Sequence, residues 1–411
     1  MIFKIALRNI FRNLRRSLVS LLLSILCVAV LMFFQAMNDG GHQKMIDDNV
    51  EVYVGYIQAQ GKGYEENPNY DNLIFNVDEV KEKIKDVKGV KAYTVRMETF
   101  TLFSVGEESV GGMLTGIVPS TEAEISRIKK GLVKGRYLKD SDTNGVYIGK
   151  QLAQRLGVDI GDEVVFLSSA VDYSMAAARL KVVGMFATNL FDFDKQNAFI
   201  NKKYMDVQYL SDNIASDIVV LPENKLKTVQ LQNKLQKVLD KQKYEVVTYQ
   251  QTLFGLIQFI NLDNAFGALT FGLLALIVFF VIMIFSLISV FQRTKEIGIM
   301  RAIGTSQKQI YKILISEGLI LGTVSVLIGG AIGIWLCNYF YVHPINFASN
   351  NPDVLAMYQQ FGMTDLTMPA LLTKYSFALG VIPVFLLNIL AILYPAWVVN
   401  KMKPIDAIEE R

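Results

Sequence analysis

Four stretches of this 411-residue chain carry almost no charge: 17–38, 264–292, 313–342 (broken only by Glu317) and 375–400. Each exceeds the ~20 residues that a helix needs to cross ~30 Å of hydrocarbon. No water is available in that layer, so a spanning segment must satisfy its own backbone polar groups, and an apolar run does so as a helix. Across the chain 52% of residues are hydrophobic and 19% charged, against about a quarter charged in a soluble domain. A cleaved secretion signal has a shorter apolar core, ~7–15 residues, ending in a small-residue site. Here "LLLSILCVAVLMFFQAM" runs on without a clean Ala-x-Ala, so the first stretch is read as a retained span.

Lys and Arg near the span ends set orientation. Lys4, Arg8, Arg12, Arg15 and Arg16 precede the first span; Arg293, Lys295, Arg301, Lys308 and Lys312 separate the second and third; Lys401 and Lys403 follow the fourth. The 343–374 loop offers only Lys374. This predicts a multi-pass inner (cytoplasmic) membrane protein with both termini cytoplasmic and a large periplasmic domain. The expected order is an amphipathic interfacial helix at 1–16, spans at 17–39, 263–292, 312–341 and 375–400, and a periplasmic α+β domain at 40–262. A cytoplasmic loop occupies 293–311, a short periplasmic loop 342–374 and a cytoplasmic tail 401–411. In the first helix Phe3, Leu7, Ile10, Phe11 and Leu14 form one stripe, and Lys4, Arg8, Arg12 and Arg15 another. That pattern suits a helix lying in the headgroup plane; the plainer reading is a positive-inside flank.

Cys27 and Cys337 fall inside spans, which argues against a disulfide or a metal site. His42 and His343 lie just outside spans and read as loop residues rather than a zinc pair. A net charge of +3 is too small to suggest nucleic acid.

The segment between the first two spans reads as globular. Val80, Ile84 and Val87 mark an amphipathic helix that ends near Gly89 and leads into a strand; Leu226, Leu231, Leu235 and Leu239 mark another, leading to a strand at 244–248. These two units suggest one porter-like helix–strand subdomain, interrupted by a β-rich insert at roughly 100–215. Within the insert, strand 145–148, helix 150–156, a left-handed Gly157 cap and strand 163–167 are expected. Two alternating strands around an aromatic-acidic turn follow.

No catalytic constellation is apparent. "GVYIGKQ" has the wrong spacing for a phosphate loop and lacks its Ser or Thr. Asp192 and Asp194 could form a carboxylate dyad, but with aromatics interleaved they read as a surface turn. The chain is expected to be no enzyme and to hold no cofactor.

The loop "QRTKEIGIMRAIGTSQKQIY" is apolar for something that only meets water. Gly304 divides it into two helical pieces, with Ser306 and Gln309 in capping-box register. Ile297, Met300 and Ile303 recur at helical spacing, which fits either a helix lying on the bilayer or a knob entering a partner's groove. This stretch resembles the signature after the second span in permease subunits of the MacB/FtsX-type ABC transporter superfamily. Glu296, Ile297, Gly298, Arg301, Ala302 and Gly304 match it, and "YPAWVVNKMKPIDAIEE" and "IALRNIFRNLRRSLVSLLLSI" resemble that family's end and beginning. "GYIQAQGKGYEENP", "IGKQLAQRLGVDIGDEVVF" and "KVVGMFATNLFDFDKQNAFIN" are most similar to the lipoprotein-releasing (LolC/LolE-type) group. The chain departs from that group at "SSAVDYSMAAAR", which lacks the Pro and basic residues expected before this strand.

The resemblance implies an α-helical membrane permease with four transmembrane helices plus a large extracytoplasmic α+β domain. It implies a cytoplasmic ABC ATPase dimer that binds ATP and Mg, and a second permease chain, identical or paralogous. Lipoprotein substrate, a periplasmic carrier and membrane lipids complete the partners. Glu296, Ile297, Gly298, Met300, Arg301, Ala302, Ile303 and Gly304 would couple to the ATPase, with Glu296 and Arg301 at the rim and Ile297, Met300 and Ile303 in its groove. Met32, Phe33, Phe34, Met37, Phe259, Phe266 and Phe271 are candidates to line an acyl-chain cavity. Ser168, Ser169, Asp172, Tyr173 and Met175 are candidates for a carrier-docking loop. Glu317 is costly if it faces lipid, and pairing with a basic residue at the cytoplasmic face is expected. The alternatives are a MacB-like mechanotransmission or efflux permease and an FtsX-like regulator of a cell-wall hydrolase.

Overall fold

The computed structural model describes residues 2–12, 14–188, 190–346 and 367–401. The first elements are α1 (Ile2–Arg12) and α2 (Leu14–Asn49), which runs into a π-helical turn, Val50–Val54. The sheet-bearing region comprises β1 (Ile57–Gly61), α3 (Val77–Lys85), β2 (Val90–Val105), β3 (Glu108–Ile117), α4 (Pro119–Ile125) and β4 (Leu132–Gly135). It continues with β5 (Gly145–Gly149), α5 (Lys150–Leu156), β6 (Glu163–Ser169), β7 (Met175–Phe186), α6 (Phe191–Gln196) and β8 (Asn197–Asn201). It closes with α7 (Lys202–Tyr209), β9 (Asp217–Pro222), α8 (Thr228–Val238), β10 (Tyr244–Thr248) and α9 (Tyr249–Thr252). Then come α10 (Phe254–Phe291), α11 (Thr294–Ala302), α12 (Gln307–Val342) and α13 (Lys374–Lys401). The chain divides into a helical unit, 1–44 with 259–346 and 367–411, and a sheet unit built on 45–258.

In the helical unit α2, α10, α12 and α13 are long and apolar enough to cross a membrane. With 38 residues, α10 measures about 57 Å at 1.5 Å per residue, well beyond the ~30 Å core. Close packing of α2, α12 and α13 depends on small residues, as is usual between spans. A Cβ placed on Gly329 would stand 2.7 Å from the Ile25 carbonyl oxygen and 2.8 Å from Val28 Cβ. Gly333 and Gly380 leave room for the fully buried Met32. Ser24 donates to Asn388 Oδ1 across 3.0 Å. By contrast, α10 buries only Ile260, Phe271, Ile282 and Val290, so most of its length faces outward. Towards one end of the unit Thr373 donates to Asp39 at 2.6 Å, and His42 meets Asp263 at 2.8 Å. Thus His42 lies within a helix and has a partner; the reading of it as a loop residue is corrected.

The sheet unit holds ten strands in the order β10-β1-β9-β2-β3-β8-β5-β7-β4, with β6 bridging β2 and β7. Two large apolar cores, and a smaller one around Tyr147, Phe186 and Phe199, lie along it. The first packs α3 and α8 through Val80, Ile84, Leu231 and Leu235. The second packs α5 and α7 against Leu114, Phe166 and Ile200. Gly157 caps α5 at φ 68°, a left-handed conformation that costs glycine little. The expected border near residue 100 falls inside a continuous 16-residue strand: β2 pairs with β9 along 90–96 and with β3 along 96–105. The insert is therefore joined to the subdomain by shared backbone hydrogen bonds rather than by a linker.

The aromatic-acidic turn is also corrected. Residues 191–196 form a short helix, α6, and Asp194 is fully buried. Its carboxylate accepts from Thr188 N at 2.9 Å and Thr188 Oγ1 at 2.7 Å, and burial pushes its carboxyl up to about 6. Asp194 is a local staple with no dyad partner, because Asp192 points to solvent.

Replacing Gly329 with Val should force α2 and α12 apart and cost about 1–3 kcal/mol, the usual scale of overpacking. A lowered thermal midpoint of the detergent-solubilised protein checks it.

Candidate functional site

α11 is a nine-residue helix between two spans. Gly304 ends it at φ 100°, and Ser306 starts α12 with a reciprocal box. Ser306 Oγ accepts from Gln309 N at 3.3 Å, and Gln309 Oε1 accepts from Ser306 N at 2.9 Å. The Gly304 stop and the capped start of α12 bound the turn after α11, and Ile297 N donates to the Arg293 carbonyl oxygen at 2.9 Å at its beginning.

The packing of α11 corrects one expectation. Ile297 is only 4% exposed and packs with Val290, Ile310, Leu314 and Ala396 inside the helical unit. It cannot also fill a partner's groove. Gly298 is buried too, and Met300 is half-buried against the same cluster. The outward apolar residues are Ile299 and Ile303, 56% and 78% exposed, four apart and hence on one face. Ala302 and Gly304 are exposed beside them. Sequence reasoning passed over Ile299 because it is out of step with the Ile297–Met300–Ile303 stripe, although its i+4 relation to Ile303 was legible.

Polar contacts hold α11 in place. Arg293 Nη1 donates to both oxygens of Glu317, at 2.9 and 2.8 Å, and both side chains are 8% exposed. Asn9 Nδ2 on α1 donates to Glu317 Oε1 at 2.8 Å. Arg12 on α1 pairs with Glu296 on α11. The expected basic partner of Glu317 is therefore Arg293, and α1, α11 and α12 meet at one carboxylate. A cavity of about 280 Å³ lies here, lined on its polar side by Asn9, Arg12, Arg293 and Glu296 and on its apolar side by Ile299 and Ile310. The outward stripe of α1, with Phe3 62% and Phe11 64% exposed, is free to meet lipid while Ala6 packs inward.

The candidate carrier loop is a tight β6–β7 turn. Ser168 and Ser169 end β6, and Asp172 Oδ1 accepts from Ser174 N at 3.0 Å and Ser174 Oγ at 2.6 Å. Tyr173 adopts φ 64° and stands edge-on to Tyr70 at 6.0 Å. Tyr173 and Met175 are 66% and 78% exposed. Beside them runs an apolar sheet face that sequence reasoning missed: Phe100 and Leu102 on β2, and Val165 and Leu167 on β6, are all exposed. Leu102 and Leu167 are directly paired. The alternation in "FTLFSV" and "EVVFL" was the available signal.

The seven residues expected to line an acyl cavity separate. Met32 and Phe271 belong to the packed core of the helical unit, so they are removed from that set: Met32 fills the space that Gly333 and Gly380 leave. Phe33 and Met37 pack partly against that core, with Phe33 5.1 Å from Phe340. Phe34, Phe259 and Phe266 face outward. Among the described residues no group of three or more His, Cys, Asp or Glu side chains converges as for a metal ion.

Four spans, a capped helix between the second and third, and a large sheet unit inserted after the first define a membrane permease with an extracytoplasmic domain. Residues 17–238 match the family described as MacB-like periplasmic core domain, and 268–404 match FtsX-like permease C-terminal. The chain belongs to the MacB/FtsX family of ABC transporter permeases. The lipoprotein-releasing system transmembrane protein LolC of Xylella fastidiosa strain Temecula1 is 25% identical over 333 residues, 74% of each chain. LolC of strain 9a5c is 24% identical over 321 residues, again 74% of each. Two solved structures are similar in part. The periplasmic region of MacB from Actinobacillus actinomycetemcomitans is 13% identical with a TM-score of 0.37, covering 52% of this chain and 98% of that one. The extracellular domain of the ABC-type transporter YknZ from Gram-positive bacteria is 18% identical with a TM-score of 0.33, covering 42% and 88%.

Replacing Glu317 with Ala should leave the Arg293 charge buried and unpaired, at a cost of about 3–5 kcal/mol. Removing both charges should recover much of that loss. Thermal unfolding of the two single variants and the double variant checks the cycle.

Proposed function

We propose that this chain is the membrane-spanning subunit of an ABC machine that extracts acylated lipoproteins from the inner membrane and passes them to a periplasmic carrier. The observation that carries the proposal is the division of α11: Ile297 is anchored inward, while Ile299 and Ile303 stand out from a helix fastened through Arg293, Glu317 and Asn9. An apolar pair on a rigid mount suits the groove of a cytosolic partner, with Glu296 and Arg301 at its rim. That partner is an ATPase dimer which binds ATP and Mg; this chain has no phosphate-loop motif and would do no covalent chemistry itself. Both termini and α11 are then cytoplasmic, and the sheet unit is periplasmic.

Closure of the ATPase would draw two permease chains together and move the sheet units. The open side of α10 suits contact with a second permease or with cargo, and Phe34, Phe259 and Phe266 remain available to acyl chains. The exposed Phe100, Leu102, Val165, Leu167, Tyr173 and Met175 suit a carrier whose own surface is apolar. Lipoprotein as cargo is supported by the LolC relatives, about 25% identical over 74% of their length.

The test is gentle solubilisation, tagged recovery and mass spectrometry of what accompanies the chain. An ATPase with acylated lipoproteins, the latter released on adding ATP, is the expected result. An ATPase with an adaptor, channel or hydrolase and no lipoprotein would favour mechanotransmission or regulation; no ATPase would refute the transporter reading. Ile303→Asp should abolish ATPase recovery while the protein still folds, whereas Ile297→Asp should destabilise the helical unit itself.

A further inference from the structure

Three strands of the sheet unit bring three unsatisfied polar groups into one row. Gln60 on β1 is directly opposite Asp217 on β9, and Asp217 is directly opposite Arg96 on β2. All three residues are at most 3% exposed. Gln60 Oε1, Asp217 Oδ1 and Arg96 Nη1 each lack a hydrogen-bond partner among the described residues. Gln60 and an ionised Asp217 would thus present two bare acceptors from directly paired positions of neighbouring strands, both almost closed to bulk water. Such groups cost free energy unless something donates to them.

Arg96 is committed elsewhere. Its Nε and Nη2 donate to the two oxygens of Glu122 at 3.0 and 2.7 Å, and its guanidinium carbon lies 3.9 Å over the Tyr53 ring. This bidentate, stacked geometry fixes the plane of the fork and keeps Nη1 from turning to Asp217. Glu98, on the same face of β2, accepts from the Tyr53 hydroxyl. The titratable and polar groups around Asp217 are Gln60, Tyr64 and Glu65 from β1 and its turn, Arg96 and Glu98 from β2, Glu122 from α4 and Tyr53 from the π-helical turn. That is one cation among several carboxylates.

We infer that Asp217 is a proton-binding site: at neutral pH it is the neutral acid, and its O–H donates to Gln60 Oε1. One proton converts an acceptor facing an acceptor into a hydrogen bond and removes a surplus negative charge beside Glu98 and Glu122. Desolvation by burial, then the neighbouring Glu98, holds the Asp217 carboxyl well above its ordinary range, and Arg96 offsets this only in part; burial pushes the Glu98 carboxyl up as well, while the Tyr53 hydroxyl donates to it. The linkage follows. The unfolded chain releases this proton near pH ~4, while the folded one keeps it to a higher pH. Between those values the folded state binds more protons, so stability falls as pH rises through the window. The extracytoplasmic domain is accordingly tighter in acid surroundings.

The test uses the full-length protein in detergent near pH 8, above the carboxyl of Asp194 at about 6. Infrared spectroscopy should show the carbonyl stretch of an un-ionised carboxylic acid, which Asp217→Asn should remove and Glu98→Gln should leave; a band lost with Glu98→Gln would place the proton on Glu98 instead. Because the Asn amide also donates to Gln60, that variant should match or exceed the parent's thermal midpoint at high pH and lose part of its decline with pH. Should Asp217→Asn fail to accumulate, Gln60→Leu serves instead: it takes away the acceptor, so the acid band should shift in frequency. A parent spectrum without the band, or a band that neither Asp217→Asn nor Gln60→Leu alters, would overturn the assignment.

Discussion

A carboxylate inside an apolar span has to be answered, and the end of the helical unit that carries α11 is arranged around the answer given to Glu317. Arg293, the residue that leads into α11, supplies two hydrogen bonds, and Asn9 supplies one from α1. A buried ion pair adds little net stability over well-packed apolar groups, because desolvating both charges offsets their attraction. What it contributes is specificity of position, since moving any of the three elements strands a charge. The turn of α11 follows from this. With Arg293 held, Ile297 one turn later meets Ile310 and Leu314, and Ile299 and Ile303 are left pointing the other way.

The sheet unit meets a different constraint, how to make one body from two cores. β2 does so with sixteen residues that pair successively with β9, β3 and β6. Its first half shares the core of α3 and α8; its second half places Phe103 in the other core while Leu102 faces out. A force applied to either half would be carried by backbone hydrogen bonds rather than by a flexible hinge.

Much of this was legible in the residues, for definite reasons. Runs of twenty or more uncharged residues have one stable form in hydrocarbon, so the four spans could be read directly. The caps at Gly157, Gly304 and Ser306 are local chemistry and appear where their residues predict. Less legible were choices made by tertiary context. Five cations follow the second span, and only the fold selects Arg293 for Glu317. The apolar stripe of α11 was visible, but a short stripe packs on whichever apolar surface is nearest, here the protein's own spans. Alternation separates Phe100 and Leu102 from Thr101 and Phe103 on β2, but it could not say that the face bearing the two apolar groups Phe100 and Leu102 is the exposed one. Asp194 reads as a turn residue until Thr188 is found donating to it from six residues away.

Glu317 and Asp217 present the same physical problem and meet it by opposite means. Each is an acidic side chain in a place of low polarity, where an isolated charge is too costly to keep. Beside Glu317 stands Arg293, which donates to both of its oxygens, so the acid is answered by an ion pair and becomes a junction between helices. Beside Asp217 the nearest arginine is already bound at two nitrogens by Glu122 and stacked on Tyr53, so no cation is left to move. A proton is the only other counter-charge small enough to enter without reorganising the sheet. The difference lies in what each arginine is already doing, and that makes one acid a mechanical fixture and the other a site whose occupancy follows the surrounding pH.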